Sequence, residues 1–163
     1  MPVTRHPLSA LTDPRLRSVP VDDATIARLE ASLRQMATAP AAPGTDLASS
    51  FYDILFTGHP QLRRMFPADM TAQKKKLLDQ LVMVVEHLRS PEVVRARLLQ
   101  LGANHKGYGA KTEHYPVVVS AIVAAMCHVS GPAWSDELAH EWLTALDLVS
   151  DIMLEGARNV KPA

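Results

Sequence analysis

Cysteine is nearly absent from the chain: Cys127 stands alone among 163 residues. A single thiol excludes an intramolecular disulfide framework and any Cys-x-x-Cys metal site. Cys127 ends the apolar run VVVSAIVAAMC, so it is expected to be a buried, inert thiol. Excess charge is missing as well, because 17 basic residues balance 17 acidic ones. Such a balance gives no electrostatic footprint for nucleic acid or an anionic membrane. The three lysines at 74–76 form too short a run to change this and read as a solvated helix face. The longest apolar stretch, about residues 117–126, falls short of the ~20 residues a membrane span needs. The start, MPVTRHPLSALTDPRLRSVP, lacks a secretory apolar core. A cytoplasmic location with no nucleic-acid or membrane partner is expected. Aromatic residues make up only 5 %, so the core must rest on Leu, Val, Ile, Ala and Met.

What is present is organised as helices. Pro2, Pro7, Pro14 and Pro20 punctuate residues 1–21, which read as a flexible N-terminal tail. Residues 22–160 read as one domain. Asp22 or Asp23 can cap a helix carrying Ile26, Leu29 and Leu33. Thr45 or Asp46 starts a second, with Phe51, Leu55 and Phe56, and a short helical piece then leads to Met65, Phe66 and Pro67. A longer helix over about 71–88 places Leu77, Leu81, Val84 and Leu88 along one face. Ser90 as cap and Pro91 in the first turn open another, which ends at Gly107 and Gly109. Two more follow, over about 112–129 and 136–158. Alternating strand patterns are absent. These features predict an all-α fold of about seven unequal helices, packed orthogonally rather than as a regular bundle.

Three polar residues interrupt the apolar stripes. Val94, Leu98, Leu101 and His105 share one face, so His105 closes a stripe that should bury apolar groups. On periodicity alone it reads as a satisfied boundary histidine, with ligation the rarer alternative. Gln73 precedes Leu77 by one turn and reads as a solvated helix end, and Tyr52 reads as an ordinary amphipathic tyrosine. Together they make coherent chemistry, because a neutral imidazole can hold haem iron while an amide and a phenol offer hydrogen bonds opposite it. Spacing alone does not bring them together.

The segments SSFYDILFTGHPQLRRMFPADMTAQKKKLLDQL and LGANHKGYGAKTEHYPVV resemble the globin family. The nearest likeness is to bacterial single-domain haemoglobins and the haem domain of flavohaemoglobins. It covers about residues 23–157 and rests on the ordered blocks FY–LF, HP–LR–F, Q–KL, LG–H–YG–HY and a late EW. The resemblance implies a globin fold enclosing haem b, with His105 as the iron ligand. Phe66, Leu77, Leu101 and Tyr115 would line the cofactor, and Lys76 would reach a propionate. Tyr52, Gln73 and Leu77 would form the distal pocket, and His114 would face solvent beside Tyr115. Flavohaemoglobins join the proximal histidine and tyrosine to a glutamate late in the last helix. Counted from Trp142, that position is Ala157, and Glu155 lies about 200° away around a helix.

The implied function is reversible binding of O2, NO or CO, with nitric oxide dioxygenation as the implied catalysis. No G-x-G-x-x-G fingerprint occurs, so turnover is expected to need a separate flavin reductase. A haem-based gas or redox sensor signalling to a partner is the alternative. A haem-free globin-like fold fits less well, since it has no need of His105, Phe66, Tyr52 and Gln73 together. Neither His87 nor His140 falls at a matching ligand position.

Overall fold

The computed structural model describes residues 21–160, so the expected tail lies outside the described residues apart from Val21, which packs against the core. Six α-helices appear in order: α1 (Asp23–Thr38), α2 (Leu47–Gly58), α3 (Thr71–Glu86), α4 (Pro91–Gly107), α5 (His114–Ser130) and α6 (Asp136–Arg158). Short 3-10 turns occupy Pro60–Met65 and Gly131–Ala133. No strand occurs among the described residues, as the helical periodicity predicts.

Caps explain several starts. The Asp22 carboxylate accepts from the Thr25 amide at 2.8 Å, Asp46 from Ser49 at 3.2 Å, and the Ser135 hydroxyl from Leu138 at 3.1 Å. Each satisfies an otherwise orphaned N–H, for about 1 kcal/mol. Ser90 occupies the cap position of α4, but its side chain makes no capping bond, and that start rests on Pro91 in the first turn.

α4 packs chiefly on α6, and α2 on α5, while α3 contacts α1 and α2. The α4–α6 crossing is unusually close. A Cβ on Gly102 would fall 1.8 Å from the Met153 carbonyl oxygen, and one on Gly156 would fall 2.0 Å from that of Leu99. Only two bare backbones can approach this closely. Charge reinforces the crossing, with Arg95 Nη2 donating to Glu155 Oε1 at 2.6 Å. Trp142 is 2 % exposed, and its indole N–H donates to the Ser32 hydroxyl at 3.3 Å, tying α6 to α1. The Arg28 guanidinium adds a fork on Glu141, with Nε 2.8 Å from Oε1 and Nη2 2.8 Å from Oε2.

Two expectations fail on α5. Cys127 is exposed, because it follows the fully buried Ala125 and Met126 onto the outer face beside His128. The segment His114–Ala133, 20 residues with mean hydropathy 1.6, is also long and apolar enough to cross a membrane by length and composition. The shorter span expected from residues 117–126 left out the flanking helix. Its place in the fold accounts for its composition: Val119, Ala121, Ile122, Ala125 and Met126 are buried in the core against α2 and α6.

Candidate functional site

Five elements build the site. On α2, Tyr52 is 4 % exposed and sits in an aromatic cluster rather than at a half-wet edge. Its ring centroid lies 4.7 Å from Phe51, 5.7 Å from Phe56 and 5.5 Å from Phe66. Phe56 and Phe66 complete the cluster edge-on at 5.3 Å. Such edge-to-face pairs add about 0.5–1.5 kcal/mol beyond area burial.

Phe66 is delivered by the turn after Pro60–Met65. The Arg63 guanidinium ties that turn down by donating to the carbonyls of Phe66, Pro67 and Ala68 at 3.2, 2.9 and 3.1 Å. It also lies over the Phe56 ring, 5.3 Å from the centroid. α3 then starts where the Asp69 carboxylate accepts from the Thr71 amide at 3.0 Å. This entry brings Gln73, half-buried, against the Tyr52 hydroxyl. Burial raises the Tyr52 hydroxyl above its ordinary pKa, and the Gln73 side chain pulls in the opposite direction. Tyr52 is therefore a neutral phenol at physiological pH. Leu77, one turn after Gln73, is half-buried, and Lys76 is exposed.

On α4 the predicted stripe changes character along its length. Val94 and Leu98 are fully buried, whereas Leu101 and His105 are half-buried. The stripe thus runs from the core toward the surface. His105 Nδ1 lies 2.8 Å from the Leu101 carbonyl oxygen, which can only accept, so Nδ1 carries the hydrogen and Nε2 keeps a free lone pair. Gly109, at φ 89°, turns the chain after α4, and the Ala110 amide donates to the His105 carbonyl at 3.0 Å. His114 is half-buried, and its Nδ1 accepts from the Lys111 amide at 3.0 Å in an exposed hydrogen bond. Tyr115 is half-buried with its hydroxyl enclosed and without a hydrogen-bond partner among the described residues. Burial pushes that hydroxyl's pKa up.

Three observations bear on whether these residues suit a flat, largely apolar metal macrocycle. His105 offers a lone pair in a fixed tautomer, the orientation an iron ligand needs. Leu77 on α3 and Leu101 on α4 are half-buried at the edge of the core, apolar surface that a macrocycle could cover. The orphaned Tyr115 hydroxyl marks a polar group that the chain itself leaves unsatisfied, at a cost of about 1–3 kcal/mol. The donor set fits haem.

Periodicity missed two residues that position the site. Gly102 lies three residues before His105 and Gly156 crosses the same helix, yet their role depends on which helices meet. A glycine within an otherwise helical pattern was the available signal.

An all-α fold that carries a half-buried histidine on one helix and a Tyr–Gln pair on two others fits a haem-protein class, although the Nδ1-to-carbonyl bond is shared by His87, which meets the Met83 carbonyl at 2.8 Å. The model of the globin family matches residues 49–153, and the chain belongs to that family. It is 30 % identical to a flavohemoprotein of Bacillus cereus over 116 residues, covering 68 % of this chain and 28 % of the relative. The chain thus spans under a third of the length of the curated relatives it matches first. A bacterial globin from Campylobacter jejuni shares the fold at TM-score 0.70 and 20 % identity, covering 84 % of this chain and 96 % of that one. An engineered carbene transferase derived from a candidate nitric oxide dioxygenase of Rhodothermus marinus aligns at TM-score 0.72 and 20 % identity, covering 85 % and 94 %.

Proposed function

We propose that this globin binds haem b through His105 Nε2 and takes O2, NO or CO in a pocket lined by Tyr52, Gln73 and Leu77. The observation that carries the reading is the Nδ1–H···O=C bond from His105 to Leu101, which leaves Nε2 as the ligating atom. When bound, haem would supply an iron able to take a diatomic ligand and to exchange electrons. Everything else falls to the chain. Phe66, Leu77 and Leu101 present apolar surface to the macrocycle and exclude water. Lys76 supplies a cation at the exposed end of α3 for a propionate. Tyr52 and Gln73 present an O–H and an N–H to a ligand that accumulates negative charge, each worth about 1 kcal/mol net. Held against one another, they are already oriented, so little reorganisation accompanies binding.

Tight oxygen retention suits chemistry better than delivery, and nitric oxide dioxygenation with a separate flavin reductase is the reaction we assign, in the cytoplasm. The test is an absorption spectrum of the purified chain: ferric, reduced, and reduced with carbon monoxide. A histidine-type Soret pattern lost in His105→Ala supports the reading. Failure to take up haem after supplementation sinks it. Rapid nitrate formation sustained by an added reductase supports dioxygenation, whereas a single stoichiometric burst leaves a ligand-binding protein.

A further inference from the structure

We propose that the corner between α4 and α5, centred on Tyr108, is the docking face for an electron-donating flavoprotein with an acidic rim around its flavin. The proposal rests on the haem reading above and names the partner's chemistry. Tyr108 is 73 % exposed, the most exposed large apolar side chain among the described residues. An exposed tyrosine alone is ordinary. This one stands between Gly107 and Gly109, on a turn that lifts it away from the body. Its ring meets His105 edge-on, with centroids 6.3 Å apart, and its amide lies 3.1 Å from the His105 carbonyl oxygen. A partner seated on Tyr108 is therefore one residue contact from the proposed iron ligand.

The neighbourhood is basic and lightly apolar. Met65, 39 % exposed, reaches this corner, its Cε 3.9 Å from where a Cβ on Gly109 would stand. That contact brings the end of the 3-10 turn, which carries Arg64 in the chain, to the Gly109 turn, whose own chain carries Lys106 and Lys111. All three cations are exposed and make no ion pair among the described residues, a condition they share with Arg34, Lys76 and Arg97; what distinguishes them is their place around Tyr108. Glu113 is the acidic residue of the same loop, and Asp69 is engaged with the Thr71 amide. A chain of zero net charge thus keeps uncompensated cations around an exposed aromatic ring, the composition of an interface centre with a steering rim. One electron passes from the partner's reduced flavin to the ferric iron, which becomes ferrous; no bond forms or breaks.

A flavodoxin, an acidic FMN protein, serves as the probe against the haem-loaded full chain. Oxidised flavodoxin is titrated calorimetrically, and reduced flavodoxin is mixed with the ferric chain in a stopped-flow experiment. Raising salt from about 10 mM to about 300 mM should weaken binding and slow reduction by about tenfold or more. Lys106→Glu with Lys111→Glu should lower both about tenfold at low salt while dithionite reduces the variant at the wild-type rate. Arg64→Glu is the independent single variant, and Tyr108→Ala should slow flavodoxin reduction with the Soret spectrum unchanged. Absence of measurable binding, binding insensitive to salt, or charge-reversed variants that behave as wild type would each overturn the proposal. A missing Soret band in the wild-type chain, recorded first, is the separate result that overturns the haem reading and this proposal with it.

Discussion

Gly102 of α4 and Gly156 of α6 are reciprocal: each lies under the backbone of the other's helix, against Met153 and Leu99 respectively. The helix that carries His105 is thereby seated on the last helix of the chain with no side chain between them at the crossing.

Gly102→Ala should therefore be costly out of proportion to one methyl group. The added carbon meets backbone rather than a movable side chain, so the helices must separate. Overpacking of this kind costs about 3 kcal/mol or more. A urea midpoint that stays within experimental scatter of the wild type would mean the crossing is looser than described. The same substitution should also weaken haem retention, because His105 lies one turn away.

Tyr52→Phe should raise the oxygen dissociation rate about five- to tenfold, the value of one hydrogen bond of about 1 kcal/mol or slightly more. The phenylalanine keeps the aromatic cluster, so stability should change little. Flash photolysis or stopped-flow release from the oxygenated protein measures it, and an unchanged rate removes the phenol from ligand binding.

Ala157→Glu should install the carboxylate that the flavohaemoglobin pattern carries and this chain lacks. It would give the orphaned Tyr115 hydroxyl an acceptor and draw the His105 Nδ1–H from the Leu101 carbonyl. A charge-assisted hydrogen bond of about 1.5–3 kcal/mol, if felt wholly by the ferric state, corresponds to a fall in haem reduction potential of roughly 65–130 mV for one electron. Spectroelectrochemistry reads this directly, and a potential equal to that of the parent would show that the new side chain does not reach the histidine.

Glu141→Gln should destabilise the fold in a pH-dependent way. The Arg28 fork holds the Glu141 carboxyl below its ordinary value of 4.5. A depressed pKa contributes stability that is fully present above about that value and disappears as pH falls through the lower, folded one. Wild type should thus exceed the variant in chemical denaturation at neutral pH, and the gap should close in acid. A gap that persists unchanged in acid would assign the effect to packing instead.

Local rules carried most of the fold. α6 runs over Asp136–Arg158, the span the helical pattern predicts, and Asp22 and Asp46 cap where the sequence places candidate caps. What local pattern could not supply was the facing of side chains on strongly apolar helices. α5 is apolar nearly all round, so nothing in its composition distinguishes Cys127 on the outer face from Met126 in the core. The pairing of Tyr52 with Gln73, and of Gly102 with Gly156, depends on tertiary crossings that no spacing encodes. The resemblance to globins supplied the first of these as an expectation and left the second unnoticed.

The helices that carry His105 and Gln73 are not equally anchored. α4 is welded to α6 by bare backbone, an ion pair and buried Val94 and Leu98, whereas α3 commits only Leu81 and Val85 fully to the core. Local opening free energy follows such differences. The helix of His105 therefore acts as a fixed element and α3, which carries Gln73, as a compliant one, while Tyr52 stays fixed on the well-buried α2. Amide hydrogen exchange should run faster along α3 than along the buried half of α4, and ligands should come and go by the yielding of α3.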